Sequence, residues 1–175
     1  MDWYSTVFEL IDMRSFSNLW FWIVLAVVWS SASHWVLGVP YDMVSRAKRR
    51  GGQDAEDLTD LLRINTGRIL YIIEEAGLWI IAAGMFFLTG FFILGWFYAV
   101  EIAQALFLLG FPMAIVSMLS VRTARGLRNQ DDNLDAVYRR LARHRLSVQA
   151  IGMVSIFVTA MWGMYVNLSI GVLGG

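Results

Sequence analysis

The 175-residue chain is rich in apolar side chains and poor in charge: 58% of its residues are hydrophobic, 16% are charged, and the mean hydropathy is +0.57. Soluble domains carry about a quarter charged residues, so this composition predicts a membrane protein with several spans. The formal net charge is zero, and nothing in it favours nucleic acid as a partner. With no cysteine and only two histidines, the chain excludes disulfides, a thiolate nucleophile and cysteine-ligated metal sites, and we predict no metal site.

The N-terminal segment, residues 1–16, carries acids at Asp2, Glu9 and Asp12 and a single basic residue, Arg14. It therefore lacks the basic region that begins a secretory signal peptide. Its apolar residues recur at helical spacing, which predicts a short helix lying on the external membrane surface. The alternative is a partly ordered leader.

Charges delimit the predicted spans, because an unpaired charge in hydrocarbon is costly and about 20 apolar residues cross the membrane. The four predicted spans cover residues of about 19–39, 70–95, 99–121 and 147–168. Pro40 closes the first span. The charge-poor block 76–121, broken only by Glu101, is too long for one span, so the second and third spans form a helical hairpin with its turn near residues 95–98. Pro112 predicts a kink in the third span.

Two polar segments, residues 42–68 and 122–145, connect these spans within a single membrane domain covering residues 1–175. The first has a basic cluster, a flexible Gly51-Gly52 pair and then a helix with Asp54 as its predicted N-cap. The second ends in a basic helix that runs straight into the fourth span. The predicted fold class is therefore an all-α polytopic membrane protein.

The distribution of Lys and Arg predicts the orientation. Of the fourteen basic residues, one precedes the first span, six lie between the first and second spans, and seven lie between the third and fourth. By the positive-inside rule both polar segments are cytoplasmic, so both termini and the hairpin turn are periplasmic.

His34 is the one ionisable residue between Ser15 and Tyr41. If the helix continues to residue 39, Ser30, Ser31 and Gly38 share its face, which predicts a narrow helix-packing groove. Three interpretations stay open for the imidazole: a hydrogen bond to a serine or a facing helix, a place in an ion or proton path, or axial ligation of haem or chlorophyll. Without a second axial candidate the last is a weak pattern, and no cofactor is predicted.

Small and polar residues recur every four positions in the fourth span, at Ser155, Thr159, Gly163 and Asn167. Small residues let helix backbones approach closely, so this ridge predicts a packing interface. The sequence leaves open whether the facing helix belongs to the same chain, a second copy or another protein.

Three carboxylates flank the hairpin. Glu74 and Glu75 begin the second span near the cytoplasmic surface, and Glu101 begins the third span at the other side. We expect them to be paired with Arg or solvated. The alternative is an ion or proton path that they form with His34.

Basic residues near the predicted cytoplasmic surface are expected to attract anionic lipid headgroups, at roughly 1 kcal/mol per residue. They are Arg46, Lys48, Arg49, Arg50, Arg139, Arg140, Arg143 and Arg145. Trp29, Trp79 and Trp162 do not all fit interfacial belts, so contact with lipid, a pigment or a partner stays open for them.

The stretches DWYSTVFELIDMRSFSNLWFW and SHWVLGVPYD resemble a group of small four-span bacterial inner-membrane proteins, some of which are labelled as a component of the SufBCD complex. The resemblance implies a location in the inner membrane and an association with a larger complex. Because the chain has no cysteine, it cannot itself hold a cysteine-ligated iron–sulfur cluster.

No nucleophile, base and orienting group can be assembled from these spans, so we do not expect an enzyme. The sequence favours a non-catalytic accessory or assembly subunit that contacts lipid and packs against a larger membrane complex or against itself. The alternative is a small homo-oligomeric ion or proton channel or transporter that uses His34, Glu74, Glu75 or Glu101.

Overall fold

A computed structural model describes residue 16, residues 18–128 and residues 133–173 of the chain, with side chains described up to residue 169. This part is about 91% helical and contains five helices. They are α1 (Leu19–His34), α2 (Tyr41–Arg50), α3 (Gln53–Trp96), α4 (Glu101–Arg128) and α5 (Leu134–Leu173), with strands β1 (Trp35–Val36) and β2 (Val39–Pro40) between α1 and α2. The interfacial helix predicted over residues 1–16 lies outside the described residues, apart from Phe16.

Helix α1 ends at His34, so the prediction of a helical span that continues to residue 39 is wrong at this end. Residues 35–40 instead form a tight antiparallel β-hairpin. Its turn contains Leu37 and Gly38, both with positive φ, at 52° and 76°. Glycine adopts this conformation without strain, whereas it is uncommon for leucine.

Burial explains why the chain leaves the helix here. Val36 and Val39 are 1% and 0% exposed, so the hairpin inserts both valines into a core beneath the membrane helices. Asn65 of α3 also donates a hydrogen bond to the carbonyl of Gly38 at 3.1 Å. The sequence did not predict this turn, because it lies in an uninterrupted apolar run. The β-branched valines of that run are compatible both with a short strand and with the end of a helix.

Three helices, α3, α4 and α5, are long and apolar enough to cross a membrane. Helix α1 is apolar but has only 16 residues, about 24 Å at 1.5 Å per residue. The structure therefore supports a helical membrane protein with three such helices, and the helix of the first predicted span, α1, is shorter than expected.

The two longest helices join segments that the sequence analysis treats separately. Helix α3 has 44 residues and contains both the polar helix and the second span. It begins at Gln53 with Gly52 as its N-cap, so the predicted cap at Asp54 is wrong; the Gly51-Gly52 turn lets the helix start earlier. Helix α5 runs from the basic segment into the apolar segment without a break, as predicted.

Two apolar cores hold the helices together. The basic-end core combines the β-hairpin, α2, the first part of α3, the end of α4 and the start of α5, and includes Val39, Leu58 and Leu141. The second core lies among the apolar helices and includes Leu25 and Trp29 of α1 and Val148 of α5. All basic residues of α2 and of the start of α5 therefore lie at one end of the molecule.

Helix α1 runs antiparallel along α5. A Cβ atom added at Gly163 would lie 3.2 Å from Cδ1 of Phe16, and one added at Gly152 would lie 2.7 Å from Cε3 of Trp29. The two contacts are 13 residues apart on one chain segment and 11 residues apart on the other, in opposite directions. Glycine is needed at both positions because the aromatic rings occupy the space of a side chain.

Candidate functional site

The ridge predicted on the fourth span lies in packed interfaces of α5. Ser155 and Thr159 are 5% and 0% exposed, and Gly163 is buried against Phe16. Asn167, one turn later, is half-buried. The facing helices for this ridge come from the same chain, since α5 packs against both α1 and α4.

Ser155 also explains how α4 continues through Pro112. Proline has no backbone N–H, so the carbonyl four residues earlier, on Leu108, receives no helical hydrogen bond from it. The hydroxyl of Ser155 donates to this Leu108 carbonyl at 3.5 Å, the long end of the hydrogen-bonding range. A neighbouring helix thus partly satisfies the group that the proline leaves open.

Gly152, where the α1–α5 contact is tightest, was not among the predicted interface residues. It lies three residues before Ser155 and therefore falls outside a strict four-residue repeat. An i, i+3 step keeps residues on the same helix face, and this spacing could have identified it. Gly152 also accounts for Trp29, whose ring packs against it.

The groove predicted around His34 is absent within the described part of the chain. Ser30, Ser31 and His34 are all exposed, and Gly38 lies in the hairpin turn instead of on the same helix face. The imidazole forms an edge-on ring contact with the neighbouring Trp35, centroid to centroid 5.7 Å, and no hydrogen bond or ion pair with any described residue. We call Ser30, Ser31 and His34 the polar edge of α1; it faces away from the other helices that the structure describes.

The serines of the polar edge differ from hydroxyl groups elsewhere in the apolar helices. Ser117 and Ser120 of α4 each donate to the carbonyl four residues earlier, at 2.9 Å. Ser30 and Ser31 form no side-chain hydrogen bond with any residue that the structure describes. Within the described part of the chain their hydroxyls are therefore exposed and unbonded.

The four residues of the predicted ion or proton path are not brought together. Glu74 and Glu75 lie at the middle of α3, where its apolar part begins, whereas Glu101 begins α4 at the hairpin end, and His34 ends α1. Glu74 is paired with Arg128, and Glu75 is exposed. One carboxylate oxygen of Glu101, Oε2, is buried without a hydrogen-bond partner among the described residues.

The predicted lipid-binding cations divide into two groups. Six of them are exposed: Arg46, Lys48, Arg49, Arg50, Arg139 and Arg143. Arg145 and Arg140 are half-buried and turned toward the protein. The guanidinium of Arg145 lies 3.9 Å from the ring centroid of Tyr41, and that of Arg140 lies against Gly126. These two arginines therefore contribute to packing at the basic end.

His144 is a buried polar residue that the sequence analysis did not single out. It is 4% exposed, and its Nδ1 lies 3.1 Å from the hydroxyl of Thr123. That hydroxyl donates to the Leu119 carbonyl at 2.8 Å, so the imidazole N–H is the donor to Thr123. His144 precedes the predicted span, and burial lowers its pKa because an apolar environment disfavours the charged imidazolium. His144 shares one helix face with Leu141 and Val148, and this spacing could have predicted its burial.

A hydrogen-bonded chain closes the hairpin end of the molecule. The indole N–H of Trp162 donates to Oε1 of Gln104 at 2.9 Å, and Nε2 of Gln104 donates to the Gly95 carbonyl at 2.7 Å. Gly95 lies at the end of α3, where carbonyls lack a following helical turn. This chain explains Trp162 and links α5 to the α3–α4 turn.

Glu74, Arg125 and Arg128 form what we call the ion-pair site, at the basic end of the α3–α4 hairpin. Nη1 of Arg128 donates to Oε1 of Glu74 at 3.2 Å, and both side chains are 65% exposed. A surface cavity of about 350 Å³ is lined by all three residues together with Leu70 and Ile73. A second cavity, of about 310 Å³, shares Glu74, Arg128 and Leu70 and extends toward Arg63. Arg125 forms no side-chain ion pair or hydrogen bond with any described residue.

Beyond the ion-pair site, α3 loses contact with the bundle. All ten residues from 78 to 87, here called the open segment of α3, are exposed, and a Cβ added at Gly84 would meet no atom within 4 Å. Contact with α4 resumes at Leu88, whose Cδ2 lies 3.5 Å from a Cβ added at Gly110.

The facing side of α4 is also exposed. Ala114 and Ser117 follow Gly110 at helical spacing on one face, and both are exposed, whereas Ala124 further along this face is buried in the basic-end core. Helices α3 and α4 thus touch on both sides of the open segment and leave a gap between them.

The described residues contain no group of three or more His, Cys, Asp or Glu side chains that could hold a metal ion. Comparison of the chain with protein-family models, curated proteins and solved structures found no match. The resemblance to small four-span inner-membrane proteins therefore stays a prediction, and the arguments about function rest on the residues and their contacts.

Proposed function

We propose that the chain is a non-catalytic integral protein of the bacterial inner membrane that acts as an accessory or assembly subunit. It packs against a larger membrane complex or against a second copy of itself. The observation that carries this proposal is the polar edge of α1, where Ser30, Ser31 and His34 face outward without a hydrogen-bond partner in the described part of the chain.

An outward-facing polar edge is energetically unfavourable when it contacts lipid chains. Hydroxyl and imidazole groups that leave water without gaining hydrogen bonds lose several kcal/mol in hydrocarbon, whereas serine and histidine can bond across a helix–helix interface. The surrounding exposed residues are large and apolar, with Val27 of α1 58% exposed and Trp35 of β1 52% exposed. This combination of apolar area and unpaired polar groups suits a partner helix better than lipid chains.

The proposal includes four spans with both termini periplasmic. Support for α1 as a span comes from its alignment with α5, because Phe16 packs on Gly163 and Trp29 on Gly152. Phe16 and α1 thus accompany residues 152–163 of the predicted span 147–168. The exposed basic residues of α2 and α5 gather at one end, which supports a cytoplasmic location for that end by the positive-inside rule.

A single introduced cysteine tests the partner, because the chain has no cysteine of its own. We expect Ser31→Cys, labelled with a short thiol-reactive photo-crosslinker in native membranes, to yield one discrete adduct. Mass spectrometry of the adduct identifies either a second copy or a different membrane protein. The matched control is Ser117→Cys, since Ser117 is also an exposed serine on an apolar helix but lies on the gap side of α4; no discrete protein adduct is expected there.

Intact-mass measurement after purification in mild detergent provides the second test. A complex larger than one chain is expected, and Ser31→Leu should reduce its amount. If the protein is monomeric under these conditions and Ser31→Cys gives no adduct, water and lipid satisfy the hydrogen bonds of the polar edge. The subunit proposal then fails.

The topology has a separate test. A C-terminal reporter that is active only in the periplasm should give full signal, and one that is active only in the cytoplasm should give none. The reverse result would place the basic end of the molecule in the periplasm and overturn the predicted orientation. The same reporters at the N-terminus test α1: with a periplasmic C-terminus, a cytoplasmic N-terminus would mean an odd number of spans, and α1 would then lie on the membrane instead of crossing it.

The channel alternative has less support, because its four candidate residues are distributed over three helices and line no common cavity among those described. It remains testable in reconstituted vesicles. Proton or cation flux that exceeds protein-free vesicles and falls in both His34→Ala and Glu74→Gln would favour a channel over a subunit.

A further inference from the structure

We propose that the ion-pair site binds the headgroup of phosphatidylethanolamine, with one acyl chain of the lipid lying between α3 and α4 along the open segment. This inference concerns a surface different from the polar edge of α1 and does not depend on the proposed function. It rests on three observations: the charges at the site, its depth, and the length of the gap.

The charges match those of an amine-bearing phospholipid. The site contains two guanidinium groups, on Arg125 and Arg128, and one carboxylate, on Glu74, in one cavity. A lipid phosphate would accept hydrogen bonds from Arg125, which has no partner among the described residues, and from Arg128. The lipid ammonium would donate to Glu74. Together the guanidinium, carboxylate, phosphate and ammonium groups form a cluster in which each group lies beside a group of opposite charge.

The depth of the site matches that of a headgroup. The charge-free part of α3 begins at Ala76, and that of α4 ends at Val121. Glu74 is therefore about 3 Å and Arg125 about 6 Å from the start of the apolar segments, at 1.5 Å per residue. This is where the phosphate layer of a bilayer meets the hydrocarbon.

The gap has the length of one leaflet. The open segment has ten exposed residues, which extend about 15 Å along the helix, half of the roughly 30 Å hydrocarbon thickness. It begins at residue 78, one turn on the membrane side of Glu74. On α4, the facing Ala114 and Ser117 are exposed as well. A chain attached to a headgroup at Glu74 would thus enter the gap directly, which a soluble phosphate compound would not.

The test uses the full-length chain in nanodiscs that contain equal amounts of phosphatidylethanolamine, phosphatidylcholine and phosphatidylglycerol, followed by native mass spectrometry of the released protein. Phosphatidylcholine has the same phosphate but no N–H to donate to Glu74, and phosphatidylglycerol has no amine. We expect retention of phosphatidylethanolamine over either lipid by about tenfold, the effect of one charge-assisted hydrogen bond. Retention of the three lipids in the equal proportions of the nanodisc would overturn the proposal.

Variants separate the site from general surface charge. Arg125→Gln should reduce the retained phosphatidylethanolamine about tenfold, while Arg122→Gln, on the same helix and closer to the membrane, should leave it unchanged. Glu74→Gln should abolish the preference for phosphatidylethanolamine over phosphatidylcholine. Equal losses in Arg125→Gln and Arg122→Gln would refute a specific site, and so would an unchanged preference in Glu74→Gln.

A competition with inorganic phosphate distinguishes the two sources of a phosphate group. Millimolar phosphate should not displace the bound lipid, because it cannot occupy the gap. Complete displacement would mean that the site recognises a soluble anion, which is incompatible with the proposal. Thermal unfolding of each variant in the same detergent identifies any variant that fails to fold. If either Arg125→Gln or Glu74→Gln fails to fold, the lipid selectivity of the other one decides whether the site is specific.

Discussion

Helices α5 and α3 have similar lengths, 40 and 44 residues, and each joins a polar first part to an apolar remainder, yet they are packed very differently. The apolar part of α5 buries Ser155 and Thr159 against its neighbours, whereas α3 buries nothing over its open segment, residues 78–87. Both contain small residues in that part, including Gly152 on α5 and Gly84 on α3. Small residues therefore permit close packing but do not reveal where a neighbour is present.

The largest expected difference is in the free energy of unfolding, between truncation of a buried side chain on α5 and truncation of an exposed one on α3. Leu141 on α5 is 0% exposed and Phe86 in the open segment of α3 is 74% exposed. Leu141→Ala should lower the free energy of unfolding by about 2–5 kcal/mol, because it leaves a cavity in the basic-end core. Phe86→Ala should stay within about 0.5 kcal/mol. Reversible unfolding in mixed micelles measures both, and a large loss in Phe86→Ala would mean that the open segment is packed.

Adding one methyl group to a glycine makes the comparison sharper. Gly152→Ala should destabilise the protein by about 1–3 kcal/mol, because the new Cβ overlaps the Trp29 ring. Gly84→Ala adds the same group where no atom lies within 4 Å and should be neutral or slightly stabilising. The midpoint of thermal aggregation in detergent compares the pair; equal midpoints would show that α1 adjusts to α5 without cost.

The hairpin end tests a polar contact between the two regions. Gln104→Leu removes hydrogen bonds to Trp162 of α5 and to Gly95 of α3 and should cost about 1–3 kcal/mol. Trp162→Phe removes one of the two bonds. A double-mutant cycle should therefore give a coupling of about 1 kcal/mol between them, and additive losses would show that the bond does not form.

The smallest expected effect is a pH dependence at the basic end. Burial lowers the pKa of His144 below the ordinary histidine value of 6.5, so as the pH falls through 6.5 the unfolded chain takes up a proton that the folded chain does not. Stability from this residue is present above that pH and is lost below it. His144→Gln should flatten the dependence of the unfolding midpoint between pH 7 and 5.

The matched control for this measurement is His34→Gln. His34 is the only other histidine and is exposed, so its replacement should leave the slope in place. If the two variants behaved alike, the acid sensitivity would belong to other groups.

The sequence predicted the features that depend on composition and local pattern. Charge-free runs identified the three long apolar helices, and the break near residues 95–98 lies at the observed end of α3, Trp96. The continuity of the basic helix with the last apolar segment is confirmed. These features follow from the cost of charge in hydrocarbon and from helical spacing.

Features that depend on contacts distant in sequence were not predictable. The helix ends at His34 because Val36 and Val39 enter a core made by residues far along the chain. The pairing of Glu74 with Arg128 joins residues 54 positions apart, so periodicity contains no information about it. For the same reason the open segment of α3 could not be distinguished from a packed one.

The continuity of α3 has a mechanical consequence. A helix of 44 residues is about 66 Å long, so about a third of it extends beyond the roughly 40–45 Å of a bilayer with its headgroups. Helices change their tilt when the hydrocarbon layer thickens or thins. Because no hinge separates the two parts of α3, such a tilt acts as a lever and sweeps Gln53, at the far end of the projecting arm, sideways across the membrane surface.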